Sequence, residues 1–296
     1  MISNQPSSKK RIAVYTAVLL LLVASRAWVG QSDWFGSANL HMLTEFVAGT
    51  IAVFVGVLAL VRFYTKQNSA YFFIGIGFVG AGLLDAYHAM LSMETGSALT
   101  AVTASPEWQW NYSSTFLSVL MAGSWIIWQR NKQLQRQSNG FYITVALIAF
   151  VSVIVFTLIP QPPITSLDYL PGRVTAIFTA TAFLIALIGY LHKGAWQHDT
   201  FENWLVAALI INVGAQGLFM YFARTPFDAL FDTAVLLKMI GYLCVLVGLL
   251  TSMYAIFKEA EQVATNQLTA NEALQREIAE RKRAEAAEQE QRNLAE

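Results

Sequence analysis

Apolar residues recur along the chain in runs of about 20, the length a helix needs to cross roughly 30 Å of hydrocarbon. Eight such runs are expected, approximately Arg11–Val29, Leu40–Phe63, Tyr71–Met93, Tyr112–Gln129, Phe141–Ile159, Val174–Leu191, Trp204–Phe222 and Thr233–Phe257. Breakers fall between them: Gly36, Pro106, the Pro160-Gln161-Pro162-Pro163 stretch, Pro171-Gly172 and Pro226. Trp108, Trp110, Trp128, Trp196 and Trp204 stand near the span ends, as an interfacial aromatic belt predicts.

From Lys258 the pattern changes. The tail has no Gly and no Pro, and almost every residue in it is a good helix former. Glu272/Arg276 and Glu277/Arg281 are favourable i,i+4 pairs. Ala260, Ala264, Leu268, Leu274, Ile278, Ala284 and Leu294 repeat at a spacing of three to four, looser than a strict heptad. A solvated single helix would hide none of these Leu and Ile side chains. A parallel two-stranded coiled coil, and with it a homodimer through the stalk, is the expectation. The fold class is therefore all-α: a polytopic membrane bundle of about eight transmembrane helices with a C-terminal cytoplasmic coiled-coil stalk. It divides into a cytoplasmic tail (1–10), the eight-helix domain (11–257) and a signalling helix (258–296).

Composition sharpens this division. Only 13% of residues are charged, against about 25% in an ordinary soluble domain. Of the 38 charged residues, 15 lie in the last 39 positions, so one part of the chain suits lipid and another suits water. The formal net charge is zero, which gives no electrostatic footprint for nucleic acid. The single cysteine, Cys244, excludes an internal disulfide and a Cys-based zinc cluster; it reads as a small hydrophobe within an apolar run. Lys9-Lys10-Arg11 ahead of an apolar stretch resembles a signal peptide, but Arg26 interrupts the region of the cleavage site, which favours an uncleaved first helix. With the N-terminus cytoplasmic, nine Lys/Arg (Lys9, Lys10, Arg11, Arg62, Lys66, Arg130, Lys132, Arg136 and Lys193) fall on the cytoplasmic side before the tail. Only Arg173 and Arg224 fall outside. This is the positive-inside pattern, and eight crossings return the tail to the cytoplasm.

Ionisable side chains within a bilayer cost a few kcal/mol each and mark candidate sites. His41 and Glu45 share a helix face near the outer end of span two, four residues apart. Asp85 and His88 share one near the outer end of span three, three residues apart. A short hairpin makes the two spans antiparallel neighbours, so the four groups are expected to converge. Arg26, Asn111, Ser114, Asn212, Gln216 and Lys238 project into the same half, while the inner half looks nearly free of such groups. A polar cavity beneath the outer surface is the expectation, with Arg26, Asn111, Asn212, Gln216 and Lys238 lining it. Two imidazoles and two carboxylates suit a divalent transition metal such as zinc, copper or iron. An interhelical ion-pair network, involving Arg26 or Lys238, or a small polar ligand or proton, would use the same residues. His192 and His198 read as solvated loop histidines.

These residues carry a resemblance. The stretch FIGIGFVGAGLLDAYHAML, with Asp85 and His88, resembles the Asp-x-x-His helix end of bacterial membrane-associated sensor domains, especially their third class. HMLTEF, with His41 and Glu45, is similar to the start of that family's preceding helix. WQWNYSSTFL (Trp108–Leu117) resembles the Trp-rich opening of the next one, and FDTAVLLKMIGYLCVLVGLL, with Lys238, its last span. The family often has a His shortly before that Lys, where this chain has Val235 or Leu236. The tail LQREIAERKRAEAA resembles the linkers that precede PAS, GAF, histidine-kinase or diguanylate-cyclase domains. The resemblance implies a sensory input module of the inner membrane, with both termini cytoplasmic. Its partners would be the lipid bilayer and a cytoplasmic output domain or response-regulator pathway. The sequence shows no phosphoacceptor helix, ATP site or cyclase motif, so catalysis is expected elsewhere. A membrane metalloenzyme using these four residues for hydrolysis or oxidation, or a small-solute transporter, is the alternative, although membrane di-iron oxidases generally carry many more histidines than the four here. A transporter would be expected to show internal repeats and broken helices near mid-membrane.

Overall fold

The computed structural model describes residues 8–66, 68–94, 110–131, 139–158, 169–225 and 227–295. The breakers Pro106, Pro160 to Pro163 and Pro226, together with Trp108, Lys132 and Arg136, lie outside them. Eight long helices account for nearly all of the described residues: α1 (Ser8–Val29), α2 (Ala38–Lys66), α3 (Ser69–Glu94), α4 (Trp110–Asn131), α5 (Asn139–Leu158), α6 (Tyr169–Lys193), α7 (Thr200–Gly214) and α8 (Ala229–Ala295). Strands are absent among the described residues apart from one antiparallel bridge, Phe35 with Asp228. Seven of the eight helices are long and apolar enough to cross a membrane. The exception, α4, buries Asn111, Ser113, Ser114, Ser118 and Ser124, and these hydroxyls and amide lower its hydropathy.

Helix α4 is shielded by α3 on one side and α6 on the other. Its polar groups bond across to α6: Asn111 Nδ2 donates to Thr175 Oγ1 (3.1 Å), the Thr115 and Thr179 hydroxyls meet at 2.7 Å, and the Ser124 and Tyr190 hydroxyls at 2.7 Å. Interhelical bonds of this kind hold transmembrane helices together where hydrophobic exclusion of water cannot. By contrast, α1 and α5 turn large apolar side chains outward, among them Leu20, Leu21, Ile143, Leu147 and Phe150. Lipid would cover these faces.

The helix starts are built locally. Asn68 Oδ1 accepts from Ala70 N (3.0 Å) at the start of α3, Asp199 Oδ1 from Glu202 N (2.9 Å) at α7, and Asp228 Oδ1 from Phe231 N (2.8 Å) at α8. Such caps satisfy orphan N–H groups and contribute about 1 kcal/mol each. Pro171 does not separate elements as expected. It lies in the first turn of α6, where its missing N–H would have had no helical partner. Helix α7 likewise does not run straight to Phe222. After Gly214 it widens into a π-turn, Ala215–Phe219, and tightens into a 3-10 turn, Met220–Phe222.

Other expectations fail at the far ends of the helices. Trp196 is buried, packs edge-on against Tyr15 (5.7 Å) and donates through Nε1 to Leu191 O (3.1 Å). It is a core residue, not part of a belt. The half expected to be free of polar groups buries Arg11, Arg62 and Glu202. Arg11 donates to the Trp196 carbonyl, Lys193 pairs with Glu202, and the Arg62 guanidinium lies 5.0 Å from the Tyr71 ring centre. His192 and His198 are exposed, as expected.

The chain forms two compact units, Met1–Leu249 and Leu250–Glu296. In the second, Tyr254, Phe257, Leu268 and Leu274 are all more than half exposed. Arg281 pairs with Glu277 at 3.1 Å, one of the two i,i+4 pairs expected there.

Candidate functional site

Helices α2 and α3 approach unusually closely, and glycine makes this possible. A Cβ on Gly82 would stand 2.7 Å from the Gly49 carbonyl oxygen, and one on Gly49 would stand 3.0 Å from that of Gly82. Real Cβ atoms essentially never come within 3.0 Å of such an atom, so Gly82 is forced and Gly49 lies at the limit. Gly49 follows Glu45 by one turn, and Gly82 precedes Asp85 by one turn, so the same contact brings the two carboxylates together. Helix α8 closes the third side. A Cβ on Gly241, one turn beyond Lys238, would fall 2.3 Å from Asn212 Nδ2 on α7.

Lys238 fills the space between the acids. Its Nζ donates to Glu45 Oε2 (2.6 Å), Glu45 Oε1 (2.9 Å) and Asp85 Oδ1 (3.0 Å). All three side chains are 4% exposed or less. Removing one partner of a buried ion pair costs about 3–5 kcal/mol, because the other is left uncompensated. The triad therefore binds α2, α3 and α8 to one another through side chains 153 to 193 residues apart in sequence.

One turn away from Glu45 the histidines meet. His41 Nε2 and His88 Nε2 are 3.1 Å apart, with ring planes at 71°. One ring donates and the other accepts. Phe227 and Phe231 cover His41, with ring centres at 5.4 and 5.1 Å. Phe227 adopts φ 68°, the left-handed region that a bulky L-residue rarely visits. It is held there in part by Gly36 N–H, which donates to its carbonyl at 2.8 Å. Trp34 Nε1 adds a second tie between these segments by donating to Asp232 Oδ2 (3.0 Å).

All four residues expected on α2 and α3 thus come together, but as two pairs with different partners. Lys238 joins them. The other expected lining residues disperse. Asn212 Nδ2 donates to Ala208 O (2.9 Å) on its own helix, and Asn111 faces α6. Gln216 is buried in the π-turn with Oε1 lacking a hydrogen bond, and Arg26 stands over the Phe222 ring at 4.8 Å. Ser114 is buried on α4.

A divalent transition metal does not fit this arrangement. An ammonium already occupies the position between the carboxylates. Among the described residues no three His, Cys, Asp or Glu side chains are placed to share an ion. Helix α8 adds no imidazole, since Val235 is buried among apolar neighbours, including Leu22 and Phe219.

Three further residues belong to the site and escape a search for charged positions. Ser113 of α4 stands beside the Asp85 carboxyl, and Tyr242 faces both carboxylates from α8. The Tyr242 hydroxyl has no hydrogen bond. Tyr242 lies one turn from Lys238, a spacing that could have found it. The third, Phe227, had no such signal.

Sequence comparison over residues 35–259 matches the family of membrane-associated sensor domains, MASE3. The match covers most of the chain and includes every residue of the triad and both histidines. The chain belongs to the MASE3 family. No curated protein and no solved structure matches it. As a MASE3 domain it is a membrane-associated sensor module. Its best-built internal feature is a set of buried ionic contacts ending on the last helix of the bundle.

Proposed function

We propose that this chain is the input module of a bacterial inner-membrane signalling protein, with both termini in the cytoplasm. A stimulus acting at the His41–His88 pair and the Glu45–Asp85–Lys238 triad changes how α8 packs on α2 and α3. The tail passes the change, as a two-stranded coiled coil in a homodimer, to a cytoplasmic histidine kinase or diguanylate cyclase. One observation carries this reading. The residue that ties the triad together, Lys238, sits on the helix that runs on to Ala295.

Two packings of α8 have to differ in their affinity for the stimulus, because a ligand with equal affinity for both shifts nothing. A triad with one three-way cation is suited to that role. Moving Lys238 by one helical turn would strip both acids of their cation, so intermediate positions are disfavoured and the switch has discrete states.

The test joins the chain through its tail to a diguanylate-cyclase output and follows product in cells across a series of external pH and osmolarity conditions. Wild type is expected to vary its output, and His88→Ala and Glu45→Gln to hold it nearly constant while inserting at wild-type levels. Identical response curves in all three proteins would defeat the assignment of the input site. Crosslinking of a cysteine at Leu268 reports whether the stalk pairs.

A further inference from the structure

We propose that Asp85 binds one exchangeable proton on Oδ2, so that the cluster rests as ionised Glu45, ammonium Lys238 and a neutral Asp85 carboxylic acid. The starting point is a charge count. Two carboxylates and one ammonium leave one negative charge over, in a place where all three side chains are 4% exposed or less. An unbalanced buried charge is strongly disfavoured, and in practice such a group takes up a neutralising partner or a proton.

Three acceptors could hold the proton, and their hydrogen bonds separate them. Glu45 receives Lys238 Nζ at both oxygens, 2.9 and 2.6 Å. A proton on either oxygen would weaken the tightest contact in the cluster. The histidines hold two ring protons between them when neutral, one of which lies in the Nε2···Nε2 contact. A third would create a cation close to the Lys238 ammonium and against the Phe227 and Phe231 rings. Asp85 differs from both. Its Oδ1 accepts from Lys238, while the buried Oδ2 receives nothing from that ammonium. Beside the carboxyl lies the buried Ser113 hydroxyl.

A proton on Oδ2 turns that atom into a donor for Ser113 Oγ. The contact with Ser113 is kept with its donor reversed, and the cluster becomes neutral. The O–H bond forms at Oδ2 with a proton from the aqueous phase, and release reverses it. The groups facing Asp85 are Glu45 from α2, Ser113 from α4, and Lys238 and Tyr242 from α8, with the His41–His88 pair one turn away. Helix α5 brings only Tyr142, which is engaged with Ser69 at the opposite end of α3. No second cation therefore faces Asp85 among the described residues.

The use of this proton as a signal rests on the sensory reading above; its presence does not. Infrared spectroscopy of the full chain in lipid nanodiscs reads it directly, as a carboxylic-acid C=O band that shifts in heavy water. Wild type is expected to show one such band at neutral pH, and His88→Gln to keep it. Asp85→Asn is expected to lose it. Glu45→Gln should lose it as well, since Asp85 then becomes the sole counter-ion of Lys238. Lys238→Met should double it. No band in folded wild type, or a band that survives Asp85→Asn, overturns the assignment, as does an unchanged single band in both Glu45→Gln and Lys238→Met. A missing band would leave the sensory reading standing. A fused output blind to every substitution at the site would remove the sensory reading and leave the band.

Discussion

The bundle buries two ionic clusters, one at each end of α2, and they are built on opposite principles. At the Arg62 end, Lys193 and Glu202 pair across nine residues, within the turn that joins α6 to α7. That pair is balanced, one charge against one. Lys193 has further support from the Trp128 ring, 4.7 Å away, and Arg11 closes the same region through backbone carbonyls of the α6–α7 connection. At the other end, Lys238 joins α8 to the α2–α3 hairpin, 153 to 193 residues away, and its two acids outnumber it. The first cluster clamps a local hairpin. The second couples the last helix to the rest of the bundle and is left with a charge to neutralise. Similar chemistry fastens one hairpin in the first place and ties the last helix to a distant pair in the second.

The largest separation between the two ends should come from Lys238→Met. It leaves two buried carboxyl groups that stay in the core only by taking up protons, and is expected to cost about 3–5 kcal/mol of stability at neutral pH, measured by equilibrium unfolding in mixed detergent micelles. Adding Glu45→Gln and Asp85→Asn to it should recover most of the loss, because charge imbalance and not volume is then the cause. If the triple variant is as unstable as Lys238→Met alone, packing around Lys238 outweighs its charge.

Glu202→Gln is the matching change at the other end. The amide still accepts from Lys193, and Trp128 still faces the ammonium, so the expected cost is smaller, roughly 1.5–3 kcal/mol for weakening a charge-assisted hydrogen bond. Output from a fused cyclase should be unaffected. A Glu202→Gln protein that is stable but silent would erase the distinction between clamp and coupler.

The contrast was only partly visible in the sequence. Helix count, the all-α class and the meeting of His41, Glu45, Asp85 and His88 followed from hydropathy and from i,i+3 and i,i+4 spacing, because those patterns are local and the α2–α3 hairpin is short. Lys238 was visible as a buried cation, but its role depends on the rotation of α8, which no local pattern fixes. The Arg62-end cluster was missed for a related reason. Arg62, Lys193 and Glu202 sit at helix ends, where charge ordinarily means water, and only tertiary packing buries them. The dispersal of Arg26, Asn111 and Gln216 has the same origin. Depth in the membrane can be read from position along a span, whereas facing direction needs the neighbours.

The glycine contact gives a test that is steric instead of electrostatic. Gly82→Ala puts a methyl group 2.7 Å from the Gly49 carbonyl, so α2 and α3 have to separate. The expected cost is about 1–3 kcal/mol, the range for overpacking a tight interface. Since Glu45 and Asp85 lie one turn away, the separation should also loosen the triad, and the doubled infrared band expected of Lys238→Met should appear in part. At the Arg62 end nothing should change. Tryptophan fluorescence from Trp196 and Trp204 provides that control.

The smallest expected effect is the most specific to one end. Phe227 is the one described non-glycine residue with positive φ, and it lies over His41. Phe227→Gly relieves a backbone conformation that costs on the order of 1–3 kcal/mol in a non-glycine residue. It also removes ring contacts with His41 and Phe231 worth roughly 0.5–1.5 kcal/mol each. The two nearly cancel, so the unfolding midpoint should scarcely move. What should change is access: without the ring, His41 is expected to open to acylation by diethylpyrocarbonate, which the buried His41 of wild type should resist. If modification is as slow in Phe227→Gly as in wild type, the ring does not cover the pair, and the strained turn serves only to start α8.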